Sequence, residues 1–402
     1  MQNIILEKPY RFVPAHRNNF WPNLIQRFRL YEPHLRKREG VEAHECRHVE
    51  RLRASLAAGS GILLTPNHAR TADPIVMGWL AKEAGTHLYA MASWHLFNQS
   101  RLMSWAIPRM GAFSVHREGV DRQSINTAIE MLEKAERPLI LFPEGGVSRT
   151  NDRLQALLDI SPIARAGAKR RAKRVAGGKL VVHPIAIKYL FRGDLQQAAD
   201  GVLTQIEHRL TWRPQQDLPL LRRIAKVGKA LLGLKELEHF GQVQTGTFAE
   251  RLSRLIDQLL CPLETEWLGA AKSGPVVPRI KALRVKLLPD LIEGKVDDTE
   301  RQRRWTQLGD LSLAQQLSCY PPDYLEEYPS VDRLLETIER FEEDLTDATT
   351  VHGSLKVVME VGEAIPVSPE RDRDAEVDPL MTRIESELQG MLDRLARESP
   401  LP

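Results

Sequence analysis

The sequence predicts an α/β fold: a mostly parallel central sheet flanked by helices, with a large helical insertion. Three observations predict it. Short apolar runs bounded by glycine or proline recur at 61–65, 87–92, 112–115, 139–142 and 180–190, as strands covered on both faces do. Helical patterns at 75–84, 96–105 and 121–136 lie between them, which is the alternation of a parallel sheet. The stretch 191–350 then shows apolar residues at helical intervals and few strand signals.

Taken in order, the first 60 residues read as an N-terminal helical segment. Within 18–40, Phe20, Trp21, Leu24, Ile25, Phe28 and Leu30 lie among Arg27, Arg29, Arg36, Lys37 and Arg38. Such a stripe suits a helix resting on a membrane interface, and more often means one packed on its own protein. A second helix is expected over 43–58. The core then runs over 61–190, with Gly85 placed to end the helix 75–84 in a left-handed cap. The helical lobe occupies 191–352, with helices expected at 195–210, 218–237, 248–260, 280–292 and 331–345. Residues 353–402 supply a last core strand around Val357–Ile365 and an amphipathic helix over 378–397, where Leu380, Ile384, Leu388, Met391, Leu392 and Leu395 recur at three to four.

Composition bounds the function. A chain of 402 residues, 42% hydrophobic and 27% charged, can bury a large core. Cys46, Cys261 and Cys319 are too few and too far apart for a disulfide framework or a metal-binding spacing, which fits a reducing cytosol. Residues 1–14 match no signal-peptide pattern, and no apolar run approaches the roughly 18 residues that span a bilayer. The net charge of +3 is uneven: 293–347 holds fifteen acids against six bases, a balance of −9, so the rest carries +12. A basic body favours anionic partners, although a charge run is more often a solvated face. The densest cluster, Arg165, Lys169, Arg170, Arg171, Lys173 and Arg174, has no interleaved aromatics, which argues against nucleic acid.

Chemistry concentrates in loops that follow strands. Asn67 and His68 end the strand 61–65, and Asp73 opens the next helix, so an imidazole and a carboxylate can face each other across a short loop. Chance alone would place an acid five residues after a histidine roughly 1.6 times in such a chain. Asp73 before Pro74 is also a good helix start, with the carboxylate as N-cap and His68 a hydrogen-bonded loop residue. The strand from Gly111 through Val115 presents Arg117, a guanidinium able to grip a phosphate or to join a surface ion pair. After the strand 139–142 come Pro143, Glu144, Gly145, Gly146, Val147, Ser148 and Arg149. Here two glycines let backbone amides approach a phosphate or an oxyanion, Glu144 can order the loop, and Ser148 or Arg149 can add donors; a plain tight turn reads the same residues as well.

These blocks, in this order and spacing, resemble the glycerolipid acyltransferase superfamily typified by bacterial lysophosphatidate acyltransferases. The likeness rests on Asn67, His68 and Asp73; on Gly111, Phe113, Val115 and Arg117; on Phe142, Pro143, Glu144 and Gly145; and on Val182, His183, Pro184 and Ile185. It covers 61–190 and the late strand near 355–366. The resemblance implies His68 as general base held by Asp73, with Asn67, Arg117, Glu144, Gly145, Gly146, Ser148 and Arg149 around the substrates. It implies no metal and no bound cofactor: acyl-CoA or an acyl carrier protein is the co-substrate and a lipid the acceptor. It further implies a cytoplasmic enzyme peripheral on an anionic membrane.

One departure narrows this. Phosphate-binding members continue the third block with threonine, arginine and serine, whereas this chain has Gly146, Val147 and Ser148. A lipid amine or glycolipid acceptor therefore stands beside a phosphate-bearing one. A non-catalytic lipid-binding scaffold has no need of the histidine and acid pair.

Overall fold

The computed structural model describes residues 7–401 except 322, 326–328, 349 and 372–376. The acids Glu326 and Glu327 of the acidic run lie outside the described residues. The chain divides into two compact units, an α/β unit of Tyr10–Gly193 with Val351–Pro400 and a helical unit built mainly from Asp194–Thr350.

The α/β unit opens with α1 (Phe20–Phe28) and α2 (Glu32–Arg38), followed by β1 (Val41–Arg47) and α3 (Val49–Ala57). Then come β2 (Gly61–Pro66), α4 (Asp73–Ala84), β3 (Tyr89–Ser93), a 3-10 turn at Trp94–Asn98, α5 (Arg101–Arg109), β4 (Ala112–Val115), α6 (Arg122–Lys134), β5 (Leu139–Ile140), α7 (Ser161–Arg174) and β6 (Leu180–Phe191). The helix expected over 43–58 is a correction: residues 41–47 form an edge strand, and only Val49–Ala57 is helical. Pairing of β1 with Leu355–Val361, some three hundred residues away, decides this, and no local pattern reveals it. Residues 10–60 fall in the same compact unit as the sheet.

The helical unit runs α8 (Leu195–Arg209), α9 (Leu220–Phe240), α10 (Phe248–Leu268), α11 (Val276–Ile292), α12 (Asp298–Ser318) and α13 (Val331–Thr346). Of these α12 has no counterpart in the sequence reading, because it buries Arg304 and Gln307 among its leucines and so shows no clean apolar stripe. Consecutive helices are clasped by one repeated device. Glu207 receives the guanidinium of Arg223 and the backbone N–H of Gln215, eight residues on. Glu236 does the same with Arg251 and Gln244, and Glu264 with Arg279 and Lys272, again eight residues on. Each acid is buried, so both of its oxygens are satisfied by fixed donors, as buried carboxylates require.

The chain then returns to the sheet through β7 (Leu355–Val361) and β8 (Ile365–Pro366) and ends in α14 (Pro379–Ala396). The sheet order is β1-β7-β6-β2-β5-β3-β4, with β8 pairing β6. Pairing is parallel from β6 through β2, β5 and β3 to β4, and between β1 and β7; β7 and β8 run antiparallel to β6. Side chains alternate along β6. Val182, Ala186 and Leu190 join the core under α6, α7 and α14, which sends Ile185, Ile187 and Tyr189 to the opposite face, where α4 begins.

The basic cluster on α7 is largely occupied. Arg165 pairs with Asp378, Arg171 donates to the carbonyls of Gly59, Glu133 and Lys134, and Arg170 and Arg174 flank Glu133.

Candidate active site

Because β2, β5, β3 and β4 are parallel neighbours, the loops leaving their carboxyl ends gather along one edge of the sheet, where open α/β folds place ligand sites. These loops carry His68, Arg117 and the segment from Phe142 to Ser148.

His68 and Asp73 are together. The Nδ1–H of His68 donates to Asp73 Oδ2 over 2.9 Å. Asp73 is fully buried and is not the N-cap of α4: Ala72 holds that position without a side-chain cap. Its carboxylate instead accepts from His68, from the Arg70 backbone N–H at 2.9 Å, and from the Tyr189 hydroxyl at 2.5 Å. An acid with three donors is locked in orientation, and a carboxylate on Nδ1 fixes the tautomer that leaves Nε2 with its lone pair. Nε2 makes no hydrogen bond with the described residues, while the ring stacks on Phe142 with centroids 4.2 Å apart.

The loop after β5 closes around this histidine. Glu144, buried, accepts from the His68 backbone N–H at 2.6 Å and from the Gln155 N–H at 3.0 Å. Burial pushes its pKa up to about 7 against the pull of those two N–H groups. Ser148 donates its backbone N–H and its hydroxyl to the His68 carbonyl, at 2.7 and 3.1 Å. Gly145 is left-handed at φ +69°, and a Cβ there would stand 2.6 Å from Leu158 Cδ1, so only glycine fits. Its N–H is used in a turn to Phe142, whereas the N–H groups of Gly146 and Val147 have no acceptor among the described residues.

Arg117, half-buried, donates to the Gly145 carbonyl, which ties the β4 loop to the β5 loop. It faces no carboxylate partner in an ion pair among the described residues, and burial lowers its pKa from the ordinary arginine value. A guanidinium without a carboxylate partner is able to receive an anion. Asn67 is a brace: its amide donates to the Ile187 carbonyl at 3.0 Å and accepts the Ile187 N–H at 2.7 Å, pinning the loop to β6. Ser148 likewise serves the loop. Arg149 sits at φ +58° immediately after it. His183, in the fourth block, bonds Ser55 and the Gly362 carbonyl and is structural. Among the described residues no group of three or more His, Cys, Asp and Glu could hold a metal ion.

Tyr189 is the residue that sequence reading missed. It is the one hydroxyl in the apolar strand β6, and its only signal is that such a group must find a partner when buried.

Residues 42–188 match the acyltransferase family model. Over that stretch the chain carries an acyltransferase-family domain. Over 84 residues it is 36% identical to the 1-acyl-sn-glycerol-3-phosphate acyltransferase of Streptococcus pneumoniae (strain ATCC BAA-255 / R6), a stretch that is 21% of this chain and 30% of that protein. The match to the family model takes in β2 through β5 and β6 as far as Lys188, hence the loops with His68, Asp73, Arg117 and Glu144, and ends before the helical unit begins.

Proposed function

We infer that this domain transfers a fatty acyl group from an acyl thioester, carried by coenzyme A or an acyl carrier protein, to a hydroxyl of a phosphate-bearing lipid acceptor. The observation that carries the reading is the His68–Asp73 pair at 2.9 Å, with Nε2 making no hydrogen bond among the described residues. His68 Nε2 takes the acceptor's hydroxyl proton as that oxygen attacks the thioester carbonyl. The new C–O bond forms, the C–S bond breaks, and the imidazolium returns its proton to the departing thiolate. The oxygen of the tetrahedral intermediate is met by the unengaged N–H groups of Gly146 and Val147. Arg117 holds the acceptor's phosphate.

The similarity to an enzyme of 1-acylglycerol-3-phosphate supports a phosphate-bearing acceptor, and Arg117 supports it independently. Val147 favours the second reading, an amine or glycolipid acceptor. Thiol release, with acyl-CoA and acylated carrier protein as donors, decides between them across lysophosphatidate, neutral glycolipid and lipid-amine acceptors. Losing one charge-assisted hydrogen bond costs about 1.5–3 kcal/mol, so Arg117→Ala raises KM for a phosphate-bearing acceptor roughly tenfold to a hundredfold and leaves KM for the donor unchanged. Equal loss on neutral acceptors would remove Arg117 from the phosphate site.

A further inference from the structure

Two buried asparagines continue the sheet where β2 stops. The register of β2 on β6 ends with Pro66 opposite Ile185, and the Ile185 carbonyl takes the Asn67 N–H at 3.4 Å. Alternate residues of β6 turn their backbone groups to that side, so Ile187 and Tyr189 come next in line. Among the described residues no strand pairs with them there. A buried backbone N–H or C=O must find a partner, and two side chains supply it. Asn67 serves both groups of Ile187. Asn151 does the same two residues on: its amide donates to the Tyr189 carbonyl at 2.6 Å, and its oxygen accepts the Tyr189 N–H at 2.9 Å. Each carboxamide stands in for the residue that a longer β2 would have placed there.

Asn151 lies outside the four sequence blocks, yet it holds the residue that braces the acid. The Tyr189 hydroxyl donates to Asp73 Oδ1 at 2.5 Å, and Asp73 Oδ2 takes the Nδ1–H of His68 at 2.9 Å. A tyrosine has only two side-chain torsions, so fixing its backbone in a packed interior fixes its hydroxyl. The loop that bears Asn151 has other anchors. Asp152 pairs with the Lys188 ammonium, both fully buried. Gln389 of α14 donates to the Asp152 carbonyl at 3.0 Å and accepts the Leu154 N–H at 3.2 Å. What Asn151 adds to this anchorage is its hold on Tyr189.

We propose that Asn151 is a positioning residue for the acyl transfer: it fixes the Tyr189 backbone and, through the Tyr189 hydroxyl, sets Asp73 and the His68 ring for proton transfer. The proposal rests on the reading of His68 as the general base.

Thiol release by the full chain tests it in a double-mutant cycle with Tyr189→Phe. Asn151→Ser lowers kcat about tenfold and leaves KM for donor and acceptor within about twofold. In the Tyr189→Phe background, where the hydroxyl is already gone, the same substitution costs less than about twofold more. Gln389→Ala, which releases the loop from α14, keeps kcat within about twofold of wild type. A wild-type kcat in folded Asn151→Ser, effects that multiply in the double variant, or an equal fall in Gln389→Ala overturns the proposal. Should Asn151→Ser not fold, Asn151→Thr, which fills more of the space, is read against the same limits. Failure of both to fold would make Asn151 structural and overturn the proposal as well. A wild type that turns over no thioester refutes the acyl transfer, and the clamp is then read from the proton resonance of His68 Nδ1–H, identified by its loss in His68→Ala. A shift of that resonance in Asn151→Ser sustains the positioning role, and an unchanged resonance overturns it.

Discussion

Replacing Tyr189 with phenylalanine removes one oxygen from the most constrained part of the site. The phenol donates to Asp73 Oδ1 at 2.5 Å, and both side chains are fully buried. Burial, and then the Asp73 charge, raise the Tyr189 pKa well above its ordinary value, so it stays a neutral donor at any pH at which the protein is handled. A hydrogen bond to a charged group contributes about 1.5–3 kcal/mol, and in the variant Oδ1 loses that donor with no water-filled space opened beside it. Asp73 keeps its bonds to His68 and to the Arg70 N–H, so the dyad survives but is held on one oxygen. If the whole loss is expressed in the transition state, where the imidazolium needs the acid most, kcat falls about tenfold to a hundredfold at 1.36 kcal/mol per decade. Steady-state thiol release reads it: kcat drops while KM for donor and acceptor stays within about twofold, since Tyr189 is fully buried. An unchanged kcat would show that Asp73 orients the ring unaided and would refute the reasoning. A rise in KM with kcat intact would make Tyr189 a structural residue only.

Two further outcomes follow from the loop after β5. Glu144 has a pKa raised by burial to about 7 from 4.5, so the folded state keeps a proton that the unfolded chain releases; stability therefore falls as pH rises from about 4.5 to about 7, by up to about 3 kcal/mol. Denaturant midpoints for Glu144→Gln should lack that slope, and an equal slope in the variant would assign it to other groups. Gly145→Ala forces a methyl to 2.6 Å from Leu158 Cδ1 at a left-handed position. We expect a loss of about 1–3 kcal/mol in thermal stability, partly restored by Leu158→Ala, and a double variant no better than the single would place the strain elsewhere.

Much of this was legible in the sequence where physics is local. Apolar runs closed by glycine or proline gave the parallel strands, and the residues that follow those strands gave the loops that meet at one sheet edge. Gly85 caps α4 in the left-handed conformation, as its residue type requires. What failed was decided at long range. The strand β1 exists because β7 pairs with it, and the Tyr189 partnership joins residues 116 apart. Roles inside the loops were equally hidden, because an asparagine beside a histidine reads as a ligand group until its amide is seen to be engaged on both sides by Ile187. The same holds for Ser148, whose hydroxyl serves the His68 carbonyl. The repeated glutamate and arginine clasp of the helical unit spans 15 or 16 residues each time, longer than any helical or strand period.

Free thiol released from an acyl thioester, measured with wild type and with His68→Ala, tests the central claim most directly. The account predicts acceptor-dependent release by the wild type and its loss by a factor of about a hundred or more in the variant, since a general base contributes roughly 10²–10⁴. Release that persists at the wild-type rate in His68→Ala would contradict it.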